Sequence, residues 1–232
     1  MKYDCLIIDD EKELADNTCE YFNMFDVKTA AVYSSAEADA FLKNNEPALV
    51  LLDINLSDGS GFELCKKIRQ TLNIPILFIS ARNTDDDKII ALNIGGDDYI
   101  EKPYSLGVLL AKVKVVLKRF AVNDTAVSVN SDFDDGYLKT DSVNKTVYVN
   151  GEEKKITSIE WKLLDYLIEN KNRLVTKNEI FDKVWNDKYT TDGTLNVHIR
   201  KIREAIEKDP QDPKYIVTVW KEGYKFVTAG DN

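Results

Sequence analysis

Histidine all but vanishes from this chain: His198 is the single one in 232 residues, and cysteine is limited to Cys5, Cys19 and Cys65. With no Cys-x-x-Cys pair and no second histidine, neither a structural zinc site nor a disulfide framework is expected, and the cysteines read as reduced packing residues. Positive charge is short as well. Lysine and arginine number 31 against 40 acids, a net charge of −9, so the chain as a whole repels polyanions and any nucleic-acid face must be local. Long apolar runs are missing from the N-terminus, where MKYDCLIIDDE ends a brief hydrophobic stretch in acids. Neither a secretory signal nor a membrane span is expected there, which predicts a cytoplasmic protein with no membrane partner.

What is present is a hydrophobic content of 44% and a length suited to one large or two ordinary domains, each able to bury a core. The stretch LVLLDINLSDG, Leu49 to Gly59, organises the first half. An apolar run of strand length stops at Asp53, and a Ser57-Asp58-Gly59 turn follows. An aspartate in such a place is more often a turn or capping residue than a reactive one, so it needs partners from other strands. They are available. Tyr3 to Ile8 ends in Asp9-Asp10-Glu11, and Leu14, Thr18, Tyr21, Phe22 and Phe25 then recur at helical spacing. The pattern repeats at Val27 to Val32 with Ser35 to Asn44, at Leu49 to Asp53 with Phe62 to Arg69, at Ile76 to Ser80 with Lys88 to Ile94, and at Tyr99 to Glu101 with Leu106 to Phe120. Five β-α units predict an α/β fold, a doubly wound five-stranded parallel sheet covered on both faces and ending near Phe120.

In such a sheet the carboxyl ends of the strands converge, and ligands collect outside them. Asp9 and Asp10 follow the first strand, Asp53 the third, Ser80 the fourth and Lys102 the fifth. Alone, Asp10 could cap a helix, Ser80 could end a strand and Lys102 could be a solvated lysine. Together they make packing a poor explanation. Three carboxylates held together repel one another, and a hard divalent cation with oxygen ligands relieves the repulsion; magnesium is the natural choice. Because magnesium is usually held by one or two carboxylates plus phosphate oxygens, the cluster predicts phosphoryl chemistry. Asp53 would be the nucleophile, Lys102 the charge partner and Ser80 a donor to the same oxygens.

Asp9-Asp10, Asp53, Ser80 and Lys102-Pro103, with GGDDYIEKP before the last helix, resemble the receiver domain of bacterial two-component response regulators. The resemblance implies that Asp53 accepts a phosphoryl group from a sensor histidine kinase. It implies magnesium bound by Asp10, Asp53 and the Asn55 carbonyl, with Asp9 acting through water, and a switch pair of Ser80 and Tyr99. It further implies a cis Lys102-Pro103 bond and a gate over the attacking water formed by Asn55 and Arg82. Lys88, Asp97, Asp98, Lys112 and Arg119 would be the charged residues of a dimer interface. One departs from the pattern: the acidic partner usual for the lysine at Lys88 is Val108 here.

Residues 121–131, AVNDTAVSVNS, are small and polar and read as a linker between a first domain of 1–120 and a second of 132–232. The second changes class. Tyr137 to Thr140, Lys145 to Asn150 and Glu152 to Ile156 alternate like strands, with a type I′ turn expected at Asn150-Gly151. Thr157-Ser158-Ile159-Glu160 and Thr176 to Glu179 read as capping boxes, the latter opening a helix that reaches Trp185. A third helix, Asp192 to Lys208, places Leu195, Ile199, Ile202 and Ile206 on a core face. The opposite face carries Val197, Arg200, Lys201 and Glu204, flanked by Thr194, Asn196 and Arg203. A hairpin follows, Tyr215 to Val219 and Tyr224 to Val227 around Gly223. A charged outer face usually means only solvation, but helix plus hairpin suggests DNA.

TLNVHIRKIREAIE and YIVTVWKEGYKF resemble the winged-helix domain of the OmpR/PhoB family, a smaller α+β winged helix-turn-helix unit. That resemblance implies major-groove contact from Thr194, Asn196, Val197, His198, Arg200, Lys201 and Arg203, and wing contact from Lys221 and Lys225. Trp185 to Thr191 would touch RNA polymerase. The wing departs from the family's Arg-Gly pair, having Trp220-Lys221. The combined reading is a transcription regulator in which phosphorylation of Asp53 drives homodimerisation and binding to paired DNA half-sites, without turnover of a substrate. The alternative is a magnesium-dependent aspartyl-phosphate phosphohydrolase, which also uses an aspartate nucleophile, magnesium and a lysine. Against it, Asn55 stands where such enzymes resemble one another in having a second aspartate as general acid.

Overall fold

A computed structural model of the chain describes residues 1–122, 132–186 and 190–228. The chain divides into two compact units, Met1–Asp124 and Thr125–Asn232.

In the first unit five strands form one parallel sheet. They are β1 (Cys5–Ile8), β2 (Thr29–Val32), β3 (Val50–Asp53), β4 (Ile76–Ser80) and β5 (Asp98–Glu101), in the order β2-β1-β3-β4-β5. Between them run α1 (Lys12–Met24), α2 (Ser35–Leu42), α3 (Gly61–Thr71) and α4 (Asp85–Ile94), and α5 (Leu106–Val122) closes the unit. Strands this apolar are covered on both faces, and alternate residues serve opposite sides. Leu6, Ile8, Val50, Leu52, Ile76 and Phe78 pack with Ala38, Leu64, Ile68 and Ala91 from α2, α3 and α4. Cys5, Ile7, Leu51, Leu77 and Ile79 pack with Ala15, Phe22, Leu109 and Val113 from α1 and α5. The order of strands reverses between β1 and β3, so their carboxyl ends flank the crevice where such sheets bind ligands.

The first predicted strand is broken at Asp4. Lys2–Tyr3 pairs instead with Glu46–Pro47, while Asp4 accepts a hydrogen bond from the Lys28 N–H at 2.8 Å. The helix predicted to end at Phe120 continues to Val122; the remainder of the stretch read as linker, residues 123–131, lies outside the described residues.

The second unit opens with an antiparallel sheet of β6 (Leu138–Asp141), β7 (Thr146–Val149) and β8 (Glu152–Lys154). Val149 pairs with Glu152, and Asn150 and Gly151 both have positive φ, as a type I′ turn requires. Helix α6 (Ser158–Glu169) starts in a full capping box between Thr157 and Glu160. After β9 (Val175–Thr176) come α7 (Lys177–Ile180), a π-helical turn Phe181–Trp185, and α8 (Asp192–Ile206). The chain ends in β10 (Ile216–Val219) and β11 (Gly223–Phe226), which with β9 form a sheet ordered β9-β11-β10. One core joins these elements, with Leu164, Trp185, Leu195, Ile199, Ile202 and Phe226 wholly or almost wholly buried. Gly223 was expected at the turn of the last hairpin, but it is paired with Val219 inside the strand. A Cβ there would lie 2.1 Å from the Val175 carbonyl oxygen, so glycine is needed for the approach of β9 and not for the bend. Among the described residues no helix is long and apolar enough to cross a membrane.

Candidate phosphoacceptor site and nucleic-acid face

At the carboxyl end of the sheet the chain turns sharply after β3. Asp53 Oδ1 accepts the Asn55 N–H at 3.0 Å, Gly61 N–H donates to the Ile54 carbonyl at 2.8 Å, and Asn55–Leu56 pairs with Gly59–Ser60 in a tight hairpin. Gly61 lets α3 begin directly against Asp53, since a Cβ on it would sit 1.9 Å from the Asp53 carbonyl oxygen. Asp53 is 4% exposed and Asp9 is fully buried. One oxygen each of Asp9, Asp10 and Asp53 can lie within 4.8 Å of the others.

Lys102 reaches this cluster from the end of β5. Its Nζ is 2.6 Å from Asp53 Oδ2, 2.8 Å from Asp9 Oδ2 and 2.8 Å from Glu11 Oε1. Its own N–H donates to the Ser80 carbonyl at 2.8 Å, and the Lys102-Pro103 bond is cis. Burial by itself would lower the lysine, but hydrogen bonds to Asp53, Asp9 and Glu11 hold it well above its ordinary value, so it stays an ammonium. Asp9 is pushed upward by burial, and the bond to Lys102 offsets this only in part. Four carboxylates, those of Asp9, Asp10, Asp53 and Glu11, and one ammonium leave this crevice short of positive charge. An all-oxygen donor set of that kind fits a divalent cation such as magnesium. Glu11 was read at the strand end with Asp9 and Asp10 but was not assigned to the site.

Ser80 is buried, and its Oγ accepts the Arg82 N–H at 3.2 Å. Tyr99 donates its hydroxyl to the Arg82 carbonyl at 2.6 Å, and the Arg82 Nη2 donates to Asn55 Oδ1 at 2.9 Å. Arg82 thus links Tyr99 to the loop that follows Asp53. Of the charged residues expected at a dimer face, Lys88 is 2.5 Å from Glu101, so it has a partner although Val108 replaces the expected one. Asp98 pairs with Lys112 at 2.8 Å with both side chains largely buried. Asp97 is corrected outright. It is 5% exposed and accepts from Arg69 at 2.7 Å and from the Ile76 N–H at 2.8 Å, so it fastens the domain internally. The side chain of Arg119 lies outside the described residues. Among the described residues, the large apolar side chains of these two helices open to solvent are Ile89 and Ile90 on α4 and Val108 on α5.

On α8 the expected reading face is only partly available. Asn196 and Arg200 are exposed, with Arg200 held 3.1 Å from Glu204 one turn on. His198 is completely buried beside Trp185, its Nδ1 3.5 Å from Glu160 Oε1, so the groove contact assigned to it is withdrawn. Val197 and Thr194 are 8% and 7% exposed and belong with the interior, Thr194 near the helix cap formed by Thr191. The 3.6-residue period had put Val197 on the outer face, but the side chain is buried. Lys201 is 2.9 Å from Glu160 Oε1, and Arg203 donates to the Ile216 carbonyl and to Thr218 Oγ1 at 2.8 Å. On the hairpin Lys221 is exposed and Lys225 partly so. Trp185, placed on a polymerase surface from sequence, is wholly buried, and residues 187–189 of that stretch lie outside the described residues.

Residues 5–114 match the family model of the response regulator receiver domain, and residues 151–226 that of the transcriptional regulatory protein C-terminal domain. The sensory transduction protein RegX3 of Mycolicibacterium smegmatis is 36% identical over 221 residues, which cover 95% of this chain and 97% of that protein. The response regulator SaeR of Staphylococcus aureus is 36% identical over 223 residues, 95% of this chain and 96% of SaeR. Among solved structures, the response regulator DrrB, a Thermotoga maritima OmpR/PhoB homologue, superposes with a TM-score of 0.51 at 28% identity, covering 98% of this chain and all of DrrB. A RitR C128S mutant shares the fold at a TM-score of 0.75 and 22% identity, covering 97% of this chain and 98% of RitR.

Proposed function

The chain belongs to the OmpR/PhoB-type two-component response regulators, transcription regulators with a receiver and a DNA-binding domain, and on that premise we propose that Asp53 is its phosphoacceptor. The observation that carries this is Lys102, whose ammonium bridges Asp53 and Asp9 at 2.6 and 2.8 Å beside a third carboxylate, Asp10. In the proposed reaction an Asp53 oxygen attacks phosphorus, the P–N bond to the phosphohistidine of a sensor kinase breaks, and an acyl phosphate forms as the imidazole leaves. The Asn55 N–H and Lys102 hold the two carboxylate oxygens in place beforehand. Lys102 then balances charge on the phosphoryl oxygens. Magnesium held by Asp10, Asp53 and the Asn55 carbonyl, with Asp9 acting through water, would supply the further positive charge that these oxygens need.

Ser80 is the group we assign to follow the phosphoryl oxygens, and Tyr99 moves with it because both are tied to Arg82. The exposed face of α4, β5 and α5 pairs two receivers, and the paired second domains bind adjacent half-sites on DNA in the cytoplasm, in contact with RNA polymerase. Asn55 disfavours the phosphohydrolase: position 55 offers an amide occupied by Arg82 and no proton donor for a leaving group. The covalent chemistry assigned to the chain is acceptance and slow loss of one phosphoryl group.

Incubation with magnesium and a small-molecule phosphodonor, followed by intact-mass and peptide analysis, tests the assignment. One phosphoryl adduct on Asp53 is expected, with none on Asp53→Asn. An undiminished adduct on that variant, or one mapped elsewhere, would refute it. Sustained release of phosphate from a phosphomonoester would favour the hydrolase instead.

A further inference from the structure

The loop between β3 and α3 carries Asn55 and lies mostly in solvent: of residues 55–60 only Leu56 is buried. The Asn55 and Gly61 N–H bonds to Asp53 and Ile54 fix its base to the sheet, but its tip, Ser57-Asp58, stands beyond the paired residues of the hairpin. That tip is held by another element. Asp58 Oδ1 accepts the Ser35 N–H at 2.9 Å and Oδ2 the Ala36 N–H at 3.0 Å, so one carboxylate forks across the first two N–H groups of α2. Those groups have no carbonyl within the helix to bond. The rest of the cap is local: Ser34 Oγ accepts the Glu37 N–H at 3.1 Å, and Glu37 Oε2 accepts the Tyr33 N–H at 2.9 Å. Hydrogen bonds from Ser35 and Ala36 hold the Asp58 carboxyl below the ordinary aspartate value, and the positive end of the helix favours the same charge.

Helix α2 is itself registered to the strand ends of the site. β2, which leads into it, pairs with β1 as Val32 beside Ile8, and the Asp9 N–H donates to the Val32 carbonyl at 3.1 Å. Asp58 therefore ties the loop to the Asp9-Asp10 side of the crevice, while Arg82, which follows β4, holds Asn55 Oδ1 from the other side at 2.9 Å. A carbonyl ligand cannot be re-aimed by rotating a side chain; its direction is set by where the peptide lies. Groups that orient a metal ligand from behind change metal affinity by about tenfold or more. Resting on the magnesium and phosphoacceptor reading above, we propose that Asp58 is a positioning residue for the cation: by clamping the loop tip to α2 it fixes the Asn55 peptide, whose carbonyl that reading gives to magnesium. Both oxygens of Asp58 are turned to α2, so it acts through the loop and not as a ligand.

The test measures magnesium binding to the full chain without phosphodonor, by isothermal titration, and the rate of Asp53 phosphorylation by a small-molecule donor across a magnesium series. Asp58→Ala should raise the dissociation constant for magnesium about tenfold. The magnesium needed for half-maximal rate should rise with it, while the rate at saturating magnesium stays within about twofold of native. Asp58→Asn, which keeps one acceptor oxygen for α2, should fall between, and it carries the test if the alanine variant does not fold. Ser34→Ala is the control: it removes a cap bond of α2 from within and leaves the loop tip clamped, so its magnesium binding should be native. Native affinity in both Asp58 variants, a fall in the saturated rate with half-saturation unchanged, or an equal loss of affinity in Ser34→Ala would overturn the proposal and leave Asp58 a helix cap. Affinity lost as fully in Asp58→Asn as in Asp58→Ala and regained at high salt would overturn it too, since charge and not the clamp would then be acting. All of these outcomes spare phosphorylation of Asp53 in the native chain. A native chain that binds no magnesium, or forms no adduct on Asp53, would remove that reading and this proposal with it.

Discussion

Glu160 shows how one residue can hold several parts of a domain. Its carboxylate is 2% exposed, accepts the Thr157 N–H at 2.7 Å, and meets Lys201 at 2.9 Å and His198 at 3.5 Å. Burial alone would push the carboxyl up, but hydrogen bonding to His198 and the charge of Lys201 outweigh it and bring the value down from 4.5 to about 2. A carboxyl lowered in the folded state stabilises above its unfolded value, and that contribution is lost as pH falls from about 4.5 toward 2. At neutral pH it is worth on the order of 3 kcal/mol, so Glu160→Gln should lower stability by an amount of that order and flatten the acid limb of the stability profile. All three tryptophans lie in the second unit, so urea unfolding followed by their fluorescence reads this directly. An unchanged acid limb in the variant would show that Glu160 is not the titrating group. The same geometry changes what Lys201 does. Lys201→Ala should weaken DNA binding uniformly over sequences, through an uncompensated buried carboxylate, and leave base preference as it was. Capping pattern made Glu160 legible as an N3 residue, but nothing in local spacing disclosed that His198 and Lys201, about forty residues on, would converge on it. At the other site, Asn55 and Arg82 are joined at 2.9 Å beside Asp53. Substituting either should change the half-life of the acyl phosphate while leaving phosphorylation possible; half-lives unchanged from the native protein in both variants would exclude them as a gate.

At the scale of elements, three strands of the first unit were legible as short apolar runs that end in or run straight into a polar residue, Cys5–Ile8, Val50–Asp53 and Ile76–Ser80, and the parallel sheet followed from the alternation of strands with helices. What escaped were contacts made by backbone alone. Gly61 is the clearest, since its close approach to the Asp53 carbonyl fixes where α3 starts relative to the nucleophile. Gly61→Ala, which removes no functional group, should force β3 and α3 apart, destabilise the first unit by about 1–3 kcal/mol and slow phosphorylation of Asp53. Gly107 of α5 is the control. A Cβ there meets nothing nearer than 3.7 Å, so Gly107→Ala should leave the rate intact and be neutral or mildly stabilising. Comparable loss of rate in both variants would mean that the approach at Gly61 is not what positions Asp53. On α8 the helical period identified Leu195, Ile199, Ile202 and Ile206 as core correctly in type and place. It erred at Val197 and His198 because a helix packed against both α6 and β7, with Trp185 beside His198, buries more than one stripe, and period alone assumes a single neighbour.

For the whole molecule, charge decides how DNA can be held. The stretch from Ser131 to Asn232 has 17 lysines and arginines against 19 acids, a net charge of −2, so long-range attraction is weak and contact depends on a few placed cations. Sequence spacing offered Arg200, Lys201, Arg203, Lys221 and Lys225, but Lys201 neutralises Glu160 and Arg203 is spent on Ile216 and Thr218. The exposed or half-exposed cations left are Lys221, Lys225 and Arg200, the last shared with Glu204 in an exposed pair. If about three phosphates are neutralised per protomer, log K should fall with log salt at a slope near −3, and near −5 to −6 when two protomers bind together. With so few phosphate contacts the electrostatic share of affinity from a single protomer is small near physiological salt, and the expectation is that pairing is the step on which occupancy depends. Phosphorylation should therefore leave affinity for a duplex with one half-site almost unchanged. It should strengthen binding to a duplex with two and steepen its salt dependence to about twice the single-site slope. Binding isotherms of the phosphorylated and unphosphorylated chain on both duplexes, across a salt series, measure this. Equal slopes on one and two half-sites after phosphorylation would mean that the receiver acts on the DNA-binding domain within one chain, and not by bringing two chains together.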